Sequence, residues 1–543
     1  MLPAMRILSV QFLLTCLLNC AFAQSVPPAA FFPFTTPSGT VIAAGGGAVP
    51  EEIFALITQQ ISAEAPLLIL PDAAEDPVAA SAAAEELLRA AGIEHLFGRK
   101  ESLSPQLRQQ ILQQTLTVGA VWICGGQQSR LAEVWKDSEL PARLRDVIRR
   151  GGVVAGTSAG AAIMTKTMIA SGTDLPVMGT GWDLLPDVII DQHFTERNRL
   201  VRSQLALQDN PGHVGIGIDE NTAVVIQGRR LIATGTGTVT VMLAASADLP
   251  AATTTLAARD SADLVQLRRA ARQRTTAATR KTALPDPLVP HGSLIIIGGG
   301  GMPEEIVERF ISLAGGPQAK IIVLPTAYPP EQTDTRLPRF LQDAEISKVT
   351  VLPQRGPEQI ASEEFRMALK EATGIWFGGG RQWNFLDAYE ATEAPALFRD
   401  VLTRGGVIAG SSAGATIQGE LLVRGHPLGN TIMVAEGYEQ GFAYLPGSAI
   451  DQHFTQRNRQ PDLLPVIRDY PHLLGVGIDE ATALVVTGNT AEVIGEHAVH
   501  LLTRHAIADL PEAAALDPLD AAMLYRTIPS GDSIDLRDFY PDH

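Results

Sequence analysis

Short β-branched apolar runs alternate with longer amphipathic stretches through most of the chain. The runs at 294–297, 320–324, 375–377, 407–409 and 484–486 predict buried strands, and helical spacing of apolar residues marks 304–313 and 396–403. Strand, Gly-rich turn and helix in repeated succession argue for an α/β fold, a mostly parallel sheet flanked by helices on both faces. Ligands of such sheets sit beyond the carboxyl ends of the strands. The most distinctive blocks of this sequence fall at or beside that edge.

Those blocks occur twice. Residues 151–161 read GGVVAGTSAGA and 405–415 read GGVIAGSSAGA, agreeing at nine of eleven positions. DQHFTERNR at 191–199 answers DQHFTQRNR at 451–459, and GIGIDENTAVVI at 215–226 answers GVGIDEATALVV at 475–486. Weaker copies frame them: GGGAVPEE at 45–52 against GGGMPEE at 299–305, and Gly125-Gly126-Gln127-Gln128 against Gly379-Gly380-Arg381-Gln382. The offset of 253 to 260 residues is too long for a solenoid repeat and implies two whole domains. We place them at 35–244 and 291–510. Between them, 245–290 is rich in Ala, Thr and Arg and reads as a linker whose basic helix (Arg268, Arg269, Arg272, Arg274) faces solvent. Residues 511–543 read as a polar tail with no assigned role.

The first 23 residues are set apart. Arg6, an apolar run from Ile7 to Leu18 and Ala21-Phe22-Ala23 have the form of an export signal cleaved after Ala23, which predicts a secreted or periplasmic protein. No other stretch holds 18 uninterrupted apolar residues, so no membrane partner is expected after cleavage. The formal charge of -17 argues against nucleic acid, for which the surplus of Lys and Arg is missing. Three cysteines, Cys16, Cys20 and Cys124, cannot build a disulfide framework or a cysteine zinc site.

Gly156-Thr157-Ser158-Ala159-Gly160 and Gly410-Ser411-Ser412-Ala413-Gly414 fit G-x-S-x-G between an apolar strand and an Ala-rich helical start. This is the context in which a strained turn exposes a nucleophilic serine and the next backbone N–H, Ala159 or Ala413, meets a developing oxyanion. Of eleven histidines only His193 and His453 lie in matched blocks, so they are the candidate bases. A carboxylate should fix the imidazole tautomer, and Asp219/Asp479 and Glu220/Glu480 are candidates. Adjacent strand residues face opposite ways, so only one of each pair can serve, and the residues alone leave the choice open.

GTSAGA, DQHF-x-x-R-x-R and GIDE-x-TA, with GG-x-Q upstream, together resemble the cyanophycinase family of serine peptidases, relatives of the α-aspartyl dipeptidases. The resemblance covers most of each half. It implies two tandem copies of a class I glutamine amidotransferase-like fold, with serine replacing the nucleophilic cysteine. It implies Ser–His–Glu triads: Ser158, His193 and Glu220, then Ser412, His453 and Glu480. It further implies second oxyanion donors at Gly126 and Gly380. Substrate-binding residues would be Gln128, Asp191, Gln192, Arg197, Arg199 and Arg202 in the first copy, and Gln382, Asp451, Gln452, Arg457 and Arg459 in the second. Guanidinium forks suit a substrate's carboxylates. The implied substrate is cyanophycin, a poly-aspartate carrying β-linked arginine, cut to β-Asp-Arg dipeptides with no metal or organic cofactor. Family members pair as dimers, so the halves are expected to form an intramolecular pseudo-dimer. The alternatives are a dipeptidase or exopeptidase for other acidic or isoaspartyl peptides, and a non-catalytic duplicate that binds polymer. One difference separates the copies: Asp462 stands where the first has Arg202. A carboxylate there should repel a substrate carboxylate, which predicts a weaker second site.

Overall fold

Strand Thr40–Ala44 is buried at every position. Its side chains alternate between two cores, Val41 and Ala43 entering one, Ile42 and Ala44 the other. A strand buried on both faces belongs in the middle of a sheet, and here it does. In the computed structural model, which describes residues 38–276, 288–511 and 516–540 apart from 343 and 345, this strand centres an eight-stranded sheet. Parallel pairings run outward through Val153–Thr157, Ala120–Ile123 and Leu67–Leu70 to Leu96–Phe97. On the other side the pairings are antiparallel, through Thr222–Gln227 and Arg230–Gly235 to Ser261–Asp263. The sheet is thus parallel over four of its seven pairings, because Thr222–Gln227 and Arg230–Gly235 are joined by a hairpin too short for a crossover helix.

Helices Glu51–Thr58 and Pro77–Ala90 cover one face. Helices Pro105–Gln114 and Leu140–Arg149 and a second, four-stranded sheet cover the other. The second half repeats this order around Val289–Ile297. The expected strand 320–324 and helix 304–313 appear as Lys320–Leu324 and Glu304–Leu313. The helix expected at 396–403 is Ala394–Thr403, two residues longer because Pro395 suits a first helical turn. The export signal lies outside the described residues, and none of the described helices is long and apolar enough to cross a membrane.

The structure departs from the sequence in the described residues of 245–290 and of 511–543. Ala252–Leu256 and Ser261–Asp263 join the two sheets of the first half, just as Arg526–Pro529 and Ser533–Asp535 join those of the second. Both segments therefore complete the sheets of their own halves. The basic helix is Leu264–Gln273, and it does not face solvent. Arg268 and Arg269 are 2% and 4% exposed. Arg269 donates to the Gly437 carbonyl (2.6 Å) and pairs with Glu390, while Arg274 pairs with Glu436. Arg229 bonds Asp387 (2.7 Å) and lies 4.0 Å over the Trp383 ring. Composition marks the arginines of this helix as solvated, but carboxylates more than a hundred residues away pair with Arg269 and Arg274 and make their burial possible.

These contacts join unlike faces of the two halves. The face of helix Trp383–Tyr389 that receives the arginines corresponds to helix Gln128–Val134 in the first half. There the same face borders an open cleft of about 440 Å³, walled by Trp135, Met168 and Trp182 among others.

Candidate active site

Three consecutive carbonyls where the central strand ends organise the first site. The Ser158 N–H donates to Ala44 (2.9 Å), the His193 N–H to Gly45 (2.9 Å) and the Asn221 N–H, next to Glu220, to Gly46 (2.8 Å). The second half repeats the device, with Ser412 on Ile297 (3.0 Å), His453 on Gly298 (2.8 Å) and Ala481 on Gly299 (2.7 Å). Three segments remote in sequence are thereby brought to one point beyond the sheet's carboxyl edge.

Gly46 and Gly299 have positive φ of 115° and 100°. A Cβ on Gly46 would lie 2.7 Å from both ring nitrogens of His193, and one on Gly299 would lie 2.6 Å from His453 Nε2. Only glycine leaves room for the imidazole. The sequence shows these glycines as a weak repeated block, but their role depends on a contact across some 150 residues.

Ser158 and Ser412 sit at the strand-to-helix turn with φ/ψ of 52°/-112° and 56°/-111°. These angles lie outside the ordinary wells of a non-glycine residue, and the surrounding fold holds each serine there. His193 and His453 also have positive φ, 50° and 51°. Ser158 Oγ is 2.8 Å from His193 Nε2, and His193 Nδ1 is 2.6 Å from Glu220 Oε1. The second site has 3.0 Å and 2.5 Å for the same pairs.

Glu220 and Glu480 face the imidazoles, whereas Asp219 accepts from the backbone and hydroxyl of Thr195 and Thr238. Burial opposes its charge, but those hydrogen bonds prevail and hold Asp219 below the usual carboxylate range. Burial lowers the His453 imidazole from its ordinary 6.5 against the opposing pull of Glu480. Cys124 is a buried core residue, its thiol pushed up to about 12 by burial and by Asp72.

Ala159 and Ala413 open the short helices after the serines. Gly126 and Gly380 have φ of 140° and 144°, and a Cβ would meet Ala74 N at 2.8 Å and the Ala327 carbonyl at 2.7 Å. These loops pass close to the serines: a Cβ on neighbouring Gly125 would lie 3.4 Å from Ser158 Cβ. Gln128 and Gln382 donate through Nε2 to the Ile169 carbonyl (2.8 Å) and to the Val423 and Arg424 carbonyls (2.7 and 2.9 Å).

Beneath each histidine lies a buried carboxylate, Asp191 or Asp451. Arg199 binds Asp191 and both oxygens of Gln192, and Arg459 does the same with Asp451 and Gln452. Arg197 and Arg457 are exposed. Arg202 is only 3% exposed, with its donors engaged by Asp191 and the Gly172 carbonyl. It grips Asp191 and does not present an open fork. In the second half Asp462 is bonded by Arg424 (2.5 Å). The ground for expecting a weaker second site is thus removed, since Asp462 does not stand as an unbalanced charge. Arg424 also reaches Asp451, and it escaped notice in the sequence because it lies in an unmatched segment.

Ser412, His453, Arg381, Gln382, Arg424 and Arg457 line a cavity of about 270 Å³. Its wall also includes Arg459, Tyr328 and Asn430. A small polar chamber rich in guanidinium groups, with a serine–imidazole pair on its wall, is suited to nucleophilic chemistry on a carboxylate-bearing substrate. Among the described residues no group of three or more His, Cys, Asp or Glu could hold a metal ion.

The chain is 34% identical over 243 residues to the cyanophycinases of Trichormus variabilis and of a Nostoc species, each match covering 43% of this chain and 81% of the relative. The cyanophycinase of Geminocystis herdmanii is 42% identical over 132 residues, which span 23% of this chain and about half, 48%, of that protein. The crystal structure of a peptidase from an acI-B1 actinobacterium matches with a TM-score of 0.34 and 23% identity, over 45% of this chain and 97% of that one. The model of peptidase family S51 matches twice, at residues 41–234 and 294–494. The chain belongs to peptidase family S51, as a serine peptidase built from two tandem copies of the family's domain.

Proposed function

We propose that this chain is an exported peptidase that hydrolyses cyanophycin to β-Asp-Arg dipeptides through an acyl-enzyme, with a working site in each half. The observation that carries the proposal is the serine–imidazole–glutamate chain of hydrogen bonds, present in both copies at a strained elbow. Glu220 accepts from Nδ1–H of His193, which leaves the Nε2 lone pair facing Ser158 Oγ. Attack of Oγ on the scissile carbonyl passes the serine proton to Nε2, and the imidazolium is stabilised by the carboxylate. The same proton then goes to the leaving amine. Water repeats the sequence on the ester and releases the second product. In this reading the backbone N–H groups of Ala159 and Gly126, or of Ala413 and Gly380, stabilise the oxyanion, a contribution of about 3 kcal/mol per donor. Arg197 and Arg457 offer exposed guanidinium groups to substrate carboxylates, while Asp191/Asp451 with Arg199/Arg459 shape the floor together with Gln128/Gln382 and Gln192/Gln452.

The cyanophycinases among the relatives support the substrate. The residue pattern of 1–23 supports export. The arginine-lined second cavity suits an acidic substrate and keeps an acidic dipeptide in view as a second reading for that site. Incubation with purified cyanophycin followed by mass analysis tests the proposal. Accumulation of β-Asp-Arg is expected; an intact polymer beside active cleavage of short isoaspartyl peptides would replace it with the dipeptidase reading.

A further inference from the structure

The two sites hold the same buried carboxylate by different means. Asp191 is gripped by Arg202 and Ser203 on helix Leu200–Asp209. The equivalent residues in the second half, 260 positions on, are Asp462 and Leu463, and neither can donate a side-chain hydrogen bond. Asp451 is wholly buried, and a buried carboxylate without a full set of donors is strongly destabilising.

Arg424 fills the gap from the opposite direction. Its Nε lies 2.9 and 3.1 Å from the two Asp451 oxygens, and its Nη2 2.8 Å from Oδ2. Nη2 also bonds Asp462 (2.5 Å), and Nη1 donates to the Asn430 carbonyl (2.8 Å). Arg202 likewise ties Asp191 to a backbone carbonyl, that of Gly172. The local register is set by matching backbone bonds: the Gly181 N–H meets the Lys166 carbonyl and the Gly441 N–H that of Glu420, so, 254 positions on, Arg424 stands where the first half has Ala170. Ala170 lies in strand Thr167–Ser171 where its pairing register shifts, and its φ is not positive, whereas Arg424 has a φ of 56°. A long side chain is thus held in an uncommon backbone conformation that aims it at Asp451.

We infer that Arg424 is the positioning residue of the second site. In this role it replaces Arg202, and it keeps the second site functional despite Asp462. It acts through Asp451, which anchors Arg459 and Gln452 in the cavity wall beside His453. The inference rests on the proposal that Ser412 is a working nucleophile. Two consequences distinguish it from a general structural role. An arginine returned to position 462 should substitute for a missing Arg424. The same arginine added while Arg424 remains should crowd a third cation onto Asp451, beside Arg424 and Arg459, and bring no gain.

The test uses full-length protein carrying Ser158→Ala, so that only Ser412 reports. The rate of Ser412 labelling by a fluorophosphonate and the kcat and KM for cyanophycin are measured, with thermal melting as a check on folding. Adding Arg424→Ala should slow labelling and turnover by about 100-fold, the cost of misplacing a site by roughly an ångström. Adding Asp462→Arg to that variant should restore the rates to within about fivefold, and Arg424→Lys should fall between because it lacks the planar fork. Labelling that is equal with and without Arg424, or a folded double variant with no recovery, would overturn the inference alone. Absence of Ser412 labelling and of turnover in the Ser158→Ala parent would overturn it together with the proposal that the second site works.

Discussion

Replacing Gly46 by alanine should disable the first site without unfolding the protein. The new Cβ would lie 2.2 Å from Cε1 and 2.7 Å from Nδ1 and Nε2 of His193, whereas non-bonded heavy atoms settle at about 3.5 Å or more. The ring must therefore withdraw by about 1 Å or more. The 2.8 Å separation of Ser158 Oγ and His193 Nε2 would then exceed the reach of about 3.2 Å within which a base takes a proton. A displacement of that size costs about 100-fold in rate, and full loss of general-base help would extend this toward about 10⁴-fold. The change also places a Cβ at a φ of 115°, which costs roughly 1–2 kcal/mol of stability. Gly92 separates the two effects: its φ is 85°, but a Cβ there meets nothing within 4 Å. In a Ser412→Ala background, Gly46→Ala should lose at least about 100-fold in kcat/KM on cyanophycin. Gly92→Ala should lose only a little stability. Retention of more than a tenth of the activity by Gly46→Ala would refute the view that this glycine makes room for the base.

Three further outcomes follow from the geometry. Arg269→Ala leaves Glu390 and the Gly437 carbonyl without their partner between the halves, and should lower stability by about 2–3 kcal/mol in denaturant titrations while serine labelling persists. Unchanged stability would mean that the helix Leu264–Gln273 does not bind the second half in solution. Because burial depresses the His453 imidazole, it stays neutral and basic to lower pH than a free histidine, so the acid limb of kcat/KM in Ser158→Ala protein should fall below 6.5. A limb at or above 6.5 would contradict that sign. Arg457→Ala, which removes an exposed guanidinium at the cavity, should raise KM about tenfold with kcat nearly unchanged; a fall in kcat alone would assign Arg457 to the chemical step.

Much of the site is legible in the chain because its chemistry is concentrated in short blocks. The elbow serines and the matched histidines stand out by repetition, and the strands around them by apolar runs. Period-two alternation does not govern Asp219 and Glu220, which lie just past the end of strand Val214–Ile218, and which of them meets His193 depends on how that strand sits beside Val188–Gln192. The resemblance implied Glu220, and in the structure Glu220 is the residue within hydrogen-bond distance of His193 Nδ1. Arg424 is illegible for a different reason. The offset between copies changes from 254 to 260 residues across this segment, so no matched position points to it. The Arg-rich stretch misled because composition cannot see Asp387, Glu390 and Glu436, which pair with Arg269 and Arg274 from the other half. The segment after 511 offered too few apolar residues to announce that Arg526–Pro529 and Ser533–Asp535 are edge strands, which need less burial than central ones.

The central claim is that each half holds a reactive serine. Intact-mass measurement after fluorophosphonate treatment tests it most directly. Wild-type protein should gain two labels, Ser158→Ala and Ser412→Ala one each, and the double variant none. Folded wild-type protein that takes up no label, or a double variant that still does, would contradict the account.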